Sequence, residues 1–247
     1  MSFENETALF AAVPDGSYDL TETVTVGEKS FYVAVSNNNL TIQGANAQIT
    51  IPGNISLNTV TVDGENAKLV NNGTIINVIC NKKCEVINNS TVTAVTVNAE
   101  NCKFTNSTDA AVIGNFKMSG TGSAIENYGE MHGVSFYANS SLNNYGTMSV
   151  SGSNDILLRI FNDSVGVNVT NAGIMKSDYY IYWIEVNNAQ FIVTNRENCR
   201  YTEYSSSNSL DDVKIYHVAN QSGNNPNTTY NGSKITVNGK VVVPSQN

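Results

Sequence analysis

Apolar and polar residues alternate along most of the chain with a period of two, in short stretches separated by Gly and Asn. Leu40-Thr41-Ile42, Val60-Thr61-Val62 and Val95-Thr96-Val97 each open such a stretch; after a corner comes a second, at Ala47-Gln48-Ile49, Ala67-Lys68-Leu69 and Cys102-Lys103-Phe104. Successive side chains of a strand point to opposite faces, so the pattern predicts strand, corner, strand; a helix would need a period of about 3.6. The whole unit recurs. Leu40–Ile49 is matched by Val60–Leu69, by the weaker Asn77–Val86, by Val95–Phe104 and by Phe116–Ile125, in units of about 17 to 21 residues. Self-similarity on that scale marks a solenoid.

Stacking the units tests the idea column by column. One column is apolar throughout: Ile42, Val62, Ile79, Val97, Met118. A second is Ile49, Leu69, Val86, Phe104 and Ile125, and a third is small: Ala47, Ala67, Cys84, Cys102, Ser123. Two outward columns alternate in charge, Glu65, Lys82, Glu100 and Lys68, Glu85, Lys103. In-register parallel strands set equivalent residues about 4.8 Å apart, where opposite charges help and like charges hurt. A closing corner follows at Asn72, Asn89, Asn106, Asn127, Asn144 and Asn171, and the later corners share a tail: Asn127-Tyr128-Gly129, Asn144-Tyr145-Gly146, Asn171-Ala172-Gly173. These patterns predict an all-β chain coiled as a parallel β-helix. The abundance of Asn, 38 of 247 residues, follows from the same architecture, because Asn stacked at successive corners can pass side-chain hydrogen bonds along the coil axis.

A single domain over 1–247 is expected. Phe3 to Val13 is apolar and Ala-bearing and is stopped by Pro14-Asp15-Gly16, which predicts a short capping helix within 1–16. The coils then occupy 17–219. In 220–247, Ser222 to Asn227 reads as an exposed loop, and Asn238-Gly239 between Ile235-Thr236-Val237 and Lys240-Val241-Val242-Val243 predicts a β-hairpin that closes the other end. Such caps cover the open edges of a parallel stack, which otherwise invite association.

Composition narrows the function. Thirteen Lys and Arg stand against 21 Asp and Glu, a net charge of −8 without basic runs, which argues against nucleic-acid binding. No 18-residue apolar stretch predicts a membrane span. The opening Met1-Ser2-Phe3-Glu4 lacks a charged-then-apolar leader, so export would require either a route without a cleaved signal or a leader already removed. Four Cys and two His, with Cys80-x-x-x-Cys84 rather than a close pair, give no metal set, and no cofactor is expected. Cys84 and Cys102 fall in the small inward column, which favours buried free thiols over a disulfide.

The chain resembles the right-handed single-stranded parallel β-helices of the pectate-lyase-like superfamily. Leu9 to Leu20 followed by Asn39-Leu40-Thr41-Ile42-Gln43-Gly44 looks like that superfamily's entry helix, first strand and first corner, and the Asn-x-Gly-x-[Ile/Met] tails look like coils of bacterial and archaeal adhesin-like surface proteins. The resemblance implies a right-handed coil and an extracellular or cell-surface location. It covers lyases, hydrolases, phage tailspikes and non-enzymatic adhesins, so it leaves activity open.

The residues that these chemistries need are scarce. Glycoside hydrolysis requires two carboxyl groups flanking the scissile bond, and Asp211-Asp212 is the only adjacent acidic pair. Lyases similar to pectate lyase use an Arg or Lys base with Asp-bound calcium; only Arg159, Arg196 and Arg200 occur, with no outward Asp column in the aligned coils. One segment departs from the bland pattern: residues 178–217 hold six of the 12 Tyr and the only Trp. In Tyr179-Tyr180-Ile181-Tyr182-Trp183-Ile184-Glu185, strand alternation sets Tyr180 and Tyr182 on one face and Tyr179, Ile181 and Trp183 on the other. The candidate ligand-binding residues are Tyr180, Tyr182, Trp183, Glu185, Glu197 and Tyr201, with rings to stack on sugars and carboxylates to accept from hydroxyls. The expected function is a non-catalytic surface β-helix, adhesin-like, whose partner is a polysaccharide or surface glycan. The alternatives are a carbohydrate-active enzyme with its site near 178–217 and a homo-oligomeric spike-type structural protein.

Overall fold

The computed structural model describes residues 39–151 apart from residue 44, then 156–161 and 165–177; beyond these it describes the backbone of strands at 2–3, 20–26, 29–36, 180–184, 190–195, 200–203, 206–207, 216–218, 234–237 and 240–242. The chain is a parallel β-solenoid. One ladder stacks Asn39–Ile42, Ser56–Val62, Thr74–Cys80, Thr91–Val97, Phe116–Met118, Val134–Phe136, Ile156–Ile160, Tyr180–Ile184 and Tyr216–Val218, each parallel to the last. A second sheet stacks Gln48–Ile51, Ala67–Asn71, Cys84–Asn88, Lys103–Asn106, Ala124–Asn127, Ser141–Asn144, Val165–Asn171, Gln190–Asn195 and Lys234–Val237. Among the described residues no helix is long and apolar enough to cross a membrane.

A third face arises by a bend. In Ser56–Val62 the alternation breaks at Asn58-Thr59, two consecutive residues that face outward, and the strand turns there. The same break recurs at Ile76-Asn77 and Thr93-Ala94. In the next coil the register runs Val92 to Val112 and Val95 to Phe116. One extra residue therefore enters, at Ile113-Gly114-Asn115, and the strand splits in two. From there Ala111–Val112, Glu130–Met131, Thr147–Val150, Ile174–Ser177 and Arg200–Glu203 form a ladder of their own. Arg200–Glu203 thus stacks on Ile174–Ser177, although its sequence echoes Lys103–Asn106 in the other sheet.

The core is a set of stacked columns. Leu40, Val60, Val78, Val95, Phe116, Val134 and Leu158 form one; Ile49, Leu69, Val86, Phe104, Ile125 and Leu142 form another, and all are buried. Phe104 and Phe116 meet edge to face with ring centroids 4.9 Å apart. The expected column Ile42, Val62, Ile79, Val97, Met118 is corrected at one place: Cys80, buried, takes the level between Val62 and Val97, and Ile79 faces outward. The cause is a short corner. Three residues separate Cys80 from Cys84, against the four between Val62 and Ala67. The four-residue corners turn through left-handed Asn66 and Asn101, with φ of 56° each, and Asn46 at 59°. Asn tolerates that conformation at little cost; the shorter corner has no such residue.

Three polar ladders bind the coils. The inner one is buried: Asn71 Nδ2 donates to Asn88 Oδ1, Asn88 to Asn106, Asn106 to Asn127, Asn127 to Asn144 and Asn144 to Asn171, at 2.8–2.9 Å. Each Nδ2 also reaches a carbonyl of the following coil, as Asn106 does with Glu130 at 2.8 Å, while Asn71 Oδ1 accepts from Gly73 N–H. That arrangement fits in one direction only. The expected corner residues Asn72 and Asn89 are therefore corrected to Asn71 and Asn88 in this ladder. Asn72 and Asn89 belong to an exposed second ladder, with Asn89 Nδ2 donating to Asn72 Oδ1 at 2.9 Å and Ser107 Oγ to Asn89 Oδ1 at 2.6 Å. A third, also exposed, runs from Asn98 to Asn81 to Asp63, each bond 2.9 Å. The outer ladders donate toward the amino-terminal coils, opposite to the inner one. Asp63, which can only accept, ends its ladder at the receiving end.

The glycines of the Asn-x-Gly tails explain how the inner ladder closes. A Cβ on Gly146 would run into the carbonyls of Gly129 and Tyr128 in the coil beneath, and one on Gly173 into those of Gly146 and Tyr145. Coil-to-coil contact there is backbone on backbone, which only Gly permits.

The charge columns hold in part. Lys68 pairs with Glu85 at 3.0 Å, as expected, but Lys103 pairs with Glu126 of the next coil, also at 3.0 Å. The Glu126 carboxylate raises the Lys103 pKa above the ordinary lysine value, chiefly by hydrogen bonding to the ammonium. Glu65, Lys82 and Glu100 are exposed at the corners, and no ion pair joins them to one another.

At the amino end, Leu20–Val26 pairs antiparallel with Lys29–Ser36, which pairs antiparallel with Asn39–Ile42. A hairpin therefore occupies the start of the segment expected as coils. Ser2–Phe3 is a short strand beside Leu20–Val26; the rest of the expected capping helix lies outside the described residues. At the other end Lys234–Val237 pairs antiparallel with Lys240–Val242, at the position of the expected hairpin.

Candidate functional site

The outward residues of the first ladder change character along the solenoid. One column reads Thr41, Thr61, Ile79, Thr96, Lys117, Ser135, Arg159, and the backbone register alone continues it to the positions of Trp183 and His217. It passes from β-branched residues, which suit strands, to cations and aromatics. The neighbouring column lies one residue past the strand ends and is held in step by backbone bonds: Asp63, Asn81, Asn98, Ser119, Tyr137, Phe161. Its early members are the third amide ladder; its last two are stacked rings. Tyr137 and Phe161 lie 4.6 Å apart at 9° between planes, and Lys117 Nζ sits 5.0 Å from the Tyr137 centroid.

The second outer ladder makes the same change. Its column continues from Asn72, Asn89 and Ser107 into Tyr128, Tyr145 and Ala172. Tyr128 and Tyr145, 41% and 43% exposed, stack at 4.9 Å and 12°. Both columns pass through a serine, Ser107 or Ser119, where amide gives way to ring. In each case the amide stack is replaced by another stack that suits the same spacing of about 4.8 Å.

No protein-family model, curated protein or solved structure matches the chain.

The register relates this ridge to the residues singled out in the sequence. Tyr180 is level with the half-buried Ile156, Tyr182 with the buried Leu158 and Trp183 with Arg159. Trp183 thus extends the Lys117–Arg159 column by one coil, whereas Tyr182 occupies the level that is core in the preceding coils. Tyr201 is level with the buried Met175, in a different ladder. Glu185 and Glu197 lie outside the described residues. Sequence reasoning missed Lys117, Tyr137, Tyr145, Arg159 and Phe161. The Asn-Tyr-Gly tails did carry a signal for the second stack, because they repeat Tyr at one coil's spacing.

The ridge offers ring edges, the Lys117 ammonium over a ring and the Arg159 guanidinium. Among the described residues no group of three or more His, Cys, Asp or Glu is placed to hold a metal ion. Glu85 and Glu126 are engaged with Lys68 and Lys103.

Proposed function

We propose that the chain is a non-catalytic, adhesin-like β-solenoid of the cell surface or extracellular space that binds glycans along the Lys117–Tyr137–Arg159–Phe161 ridge. The reading rests on one observation: both exposed Asn ladders turn into aromatic stacks in the later coils, and one of these, Tyr137 on Phe161, lies beside the column of Lys117 and Arg159 that position 183 continues. Water can satisfy an exposed amide as well as a neighbouring coil can, so an outer ladder needs no rings for its stability. The half-buried Tyr137 and Phe161 rings keep part of their apolar surface open to a sugar, and the exposed Lys117 with the half-buried Arg159 favours saccharides bearing carboxylate or sulfate. A regular coil spacing suits a chain-like ligand laid along the axis.

Glycan-array screening of the full chain, followed by titration with the best hit, tests the reading. The double substitution Lys117→Ala with Tyr137→Ala is expected to weaken binding tenfold or more while the melting temperature stays within a few degrees. An empty array, or unchanged affinity in the double variant, would overturn it. Release of reducing ends or unsaturated sugars from a bound polysaccharide would instead make the chain an enzyme.

A further inference from the structure

The short corner between Cys80 and Cys84 brings three thiols together inside the solenoid, none of them bonded. Cys80, Cys84 and Cys102 are 1%, 4% and 4% exposed. Cys84 and Cys102 occupy the same level of neighbouring coils, since the residues that follow them, Glu85 and Lys103, are register partners. Parallel strands set such residues about 4.8 Å apart at Cα, inside the 4.4–6.8 Å window of disulfides. Their sulfurs are already 3.9 Å apart, with Cys84 donating to Cys102. The column is otherwise small, Ala47 and Ala67 below and Ser123 above, so a sulfur can shift without displacing a large side chain.

We propose that Cys84 and Cys102 are an oxidation site, closing to a disulfide that ties two successive coils when the protein meets a hydroperoxide. Cys102 reacts first. Hydrogen bonds with the Cys80 and Cys84 thiols lower its pKa and push theirs up, and its sulfur, which also donates to the Lys82 and Glu100 carbonyls at 3.5 and 3.8 Å, is the one with the most hydrogen-bond partners. The thiolate is the nucleophile. It attacks one peroxide oxygen, the O–O bond breaks, and the departing hydroxide takes up a proton as water, leaving a sulfenic acid on Cys102. The Cys84 sulfur then attacks Cys102 Sγ; the S–O bond breaks and a second water leaves with the Cys84 proton. Two thiols and one hydrogen peroxide give one disulfide and two waters. A reagent this small suits sulfurs that are nearly enclosed.

The full chain, treated with stoichiometric hydrogen peroxide and digested without reductant, tests the site by mass spectrometry. The expected product is one cross-linked peptide pair joining Cys84 to Cys102, two hydrogens lighter, with the free-thiol titre falling by two. The linkage encloses a loop of similar length to those worth a few kilocalories per mole, so the melting temperature should rise by roughly 6–12 °C and return on reduction. Cys102→Ala is expected to abolish both changes and Cys80→Ala to preserve them. A titre that does not fall, or a new bond that uses Cys80 or Cys199 in the wild-type chain, would overturn the proposal.

Discussion

Asn71 and Asn72 are chain neighbours with the same side chain, and one is fully buried while the other is exposed. Followed through the coils, the two columns diverge. The inner column is Asn at every described level, from Asn71 to Asn171. The outer one runs Asn72, Asn89, Ser107, Tyr128, Tyr145, Ala172. Inside, each amide must accept from the amide below and donate both to the amide above and to a carbonyl of the next coil. A buried polar group without its partner is costly, and only Asn has a donor and an acceptor on a stem short enough for the space. Outside, water substitutes for any partner, so the column is free to take on another use. The difference teaches that repetition alone does not mark a structural necessity; repetition under burial does.

The sharpest way to break this comparison is Asn106→Leu, which keeps the branched outline but strips partners from Asn88, Asn127 and the Glu130 carbonyl. Asn88 keeps the Ser90 and Ala111 carbonyls, so two groups lose their partner, and at about 1–3 kcal/mol each the expected loss is about 2–6 kcal/mol of unfolding free energy in urea. Gly146→Ala tests the backbone contact beneath the inner ladder. Its Cβ meets the carbonyls of Gly129 and Tyr128, which cannot move aside without parting two coils, and the expected cost is about 1–3 kcal/mol. Asn89→Ala, in the exposed ladder, removes a bond to Asn72 and one from Ser107. It should change the unfolding free energy by about 0.5 kcal/mol or less, because water takes both places. Equal costs for Asn106→Leu and Asn89→Ala would dissolve the distinction between the two columns.

Much of this architecture is legible in the sequence wherever coils have equal length. Val60–Leu69 and Val95–Phe104 align without a gap, and their stacked columns appear as expected. The Cys80 corner does not align, because Val78, Ile79 and Cys80 are all apolar. Hydrophobicity there gives the same score to either phase, and only the length of the corner decides between them. Asn71-Asn72 and Asn88-Asn89 conceal the inner ladder for a similar reason: two identical residues leave the buried one unmarked, whereas Asn106-Ser107 and Asn127-Tyr128 do not. The aromatic ridge is harder still. Crowding of Tyr in 178–217 is visible along the chain, but Tyr128 and Tyr145, or Tyr137 and Phe161, become neighbours only when the intervening coil is wound up. Proximity of that kind belongs to the pitch of the solenoid and not to local composition.

The inner ladder also gives the molecule a grammar. From Asn71 to Asn144 each buried amide donates to the coil that follows, so each of these coil boundaries carries a giver on one side and a taker on the other. A coil duplicated in place would find both roles already waiting and could be read into the stack without a misfit. A coil inserted in reverse order would set donor against donor and acceptor against acceptor, stranding both pairs away from water. The solenoid is therefore open to growth by whole repeats, in one reading direction, and closed to inversion.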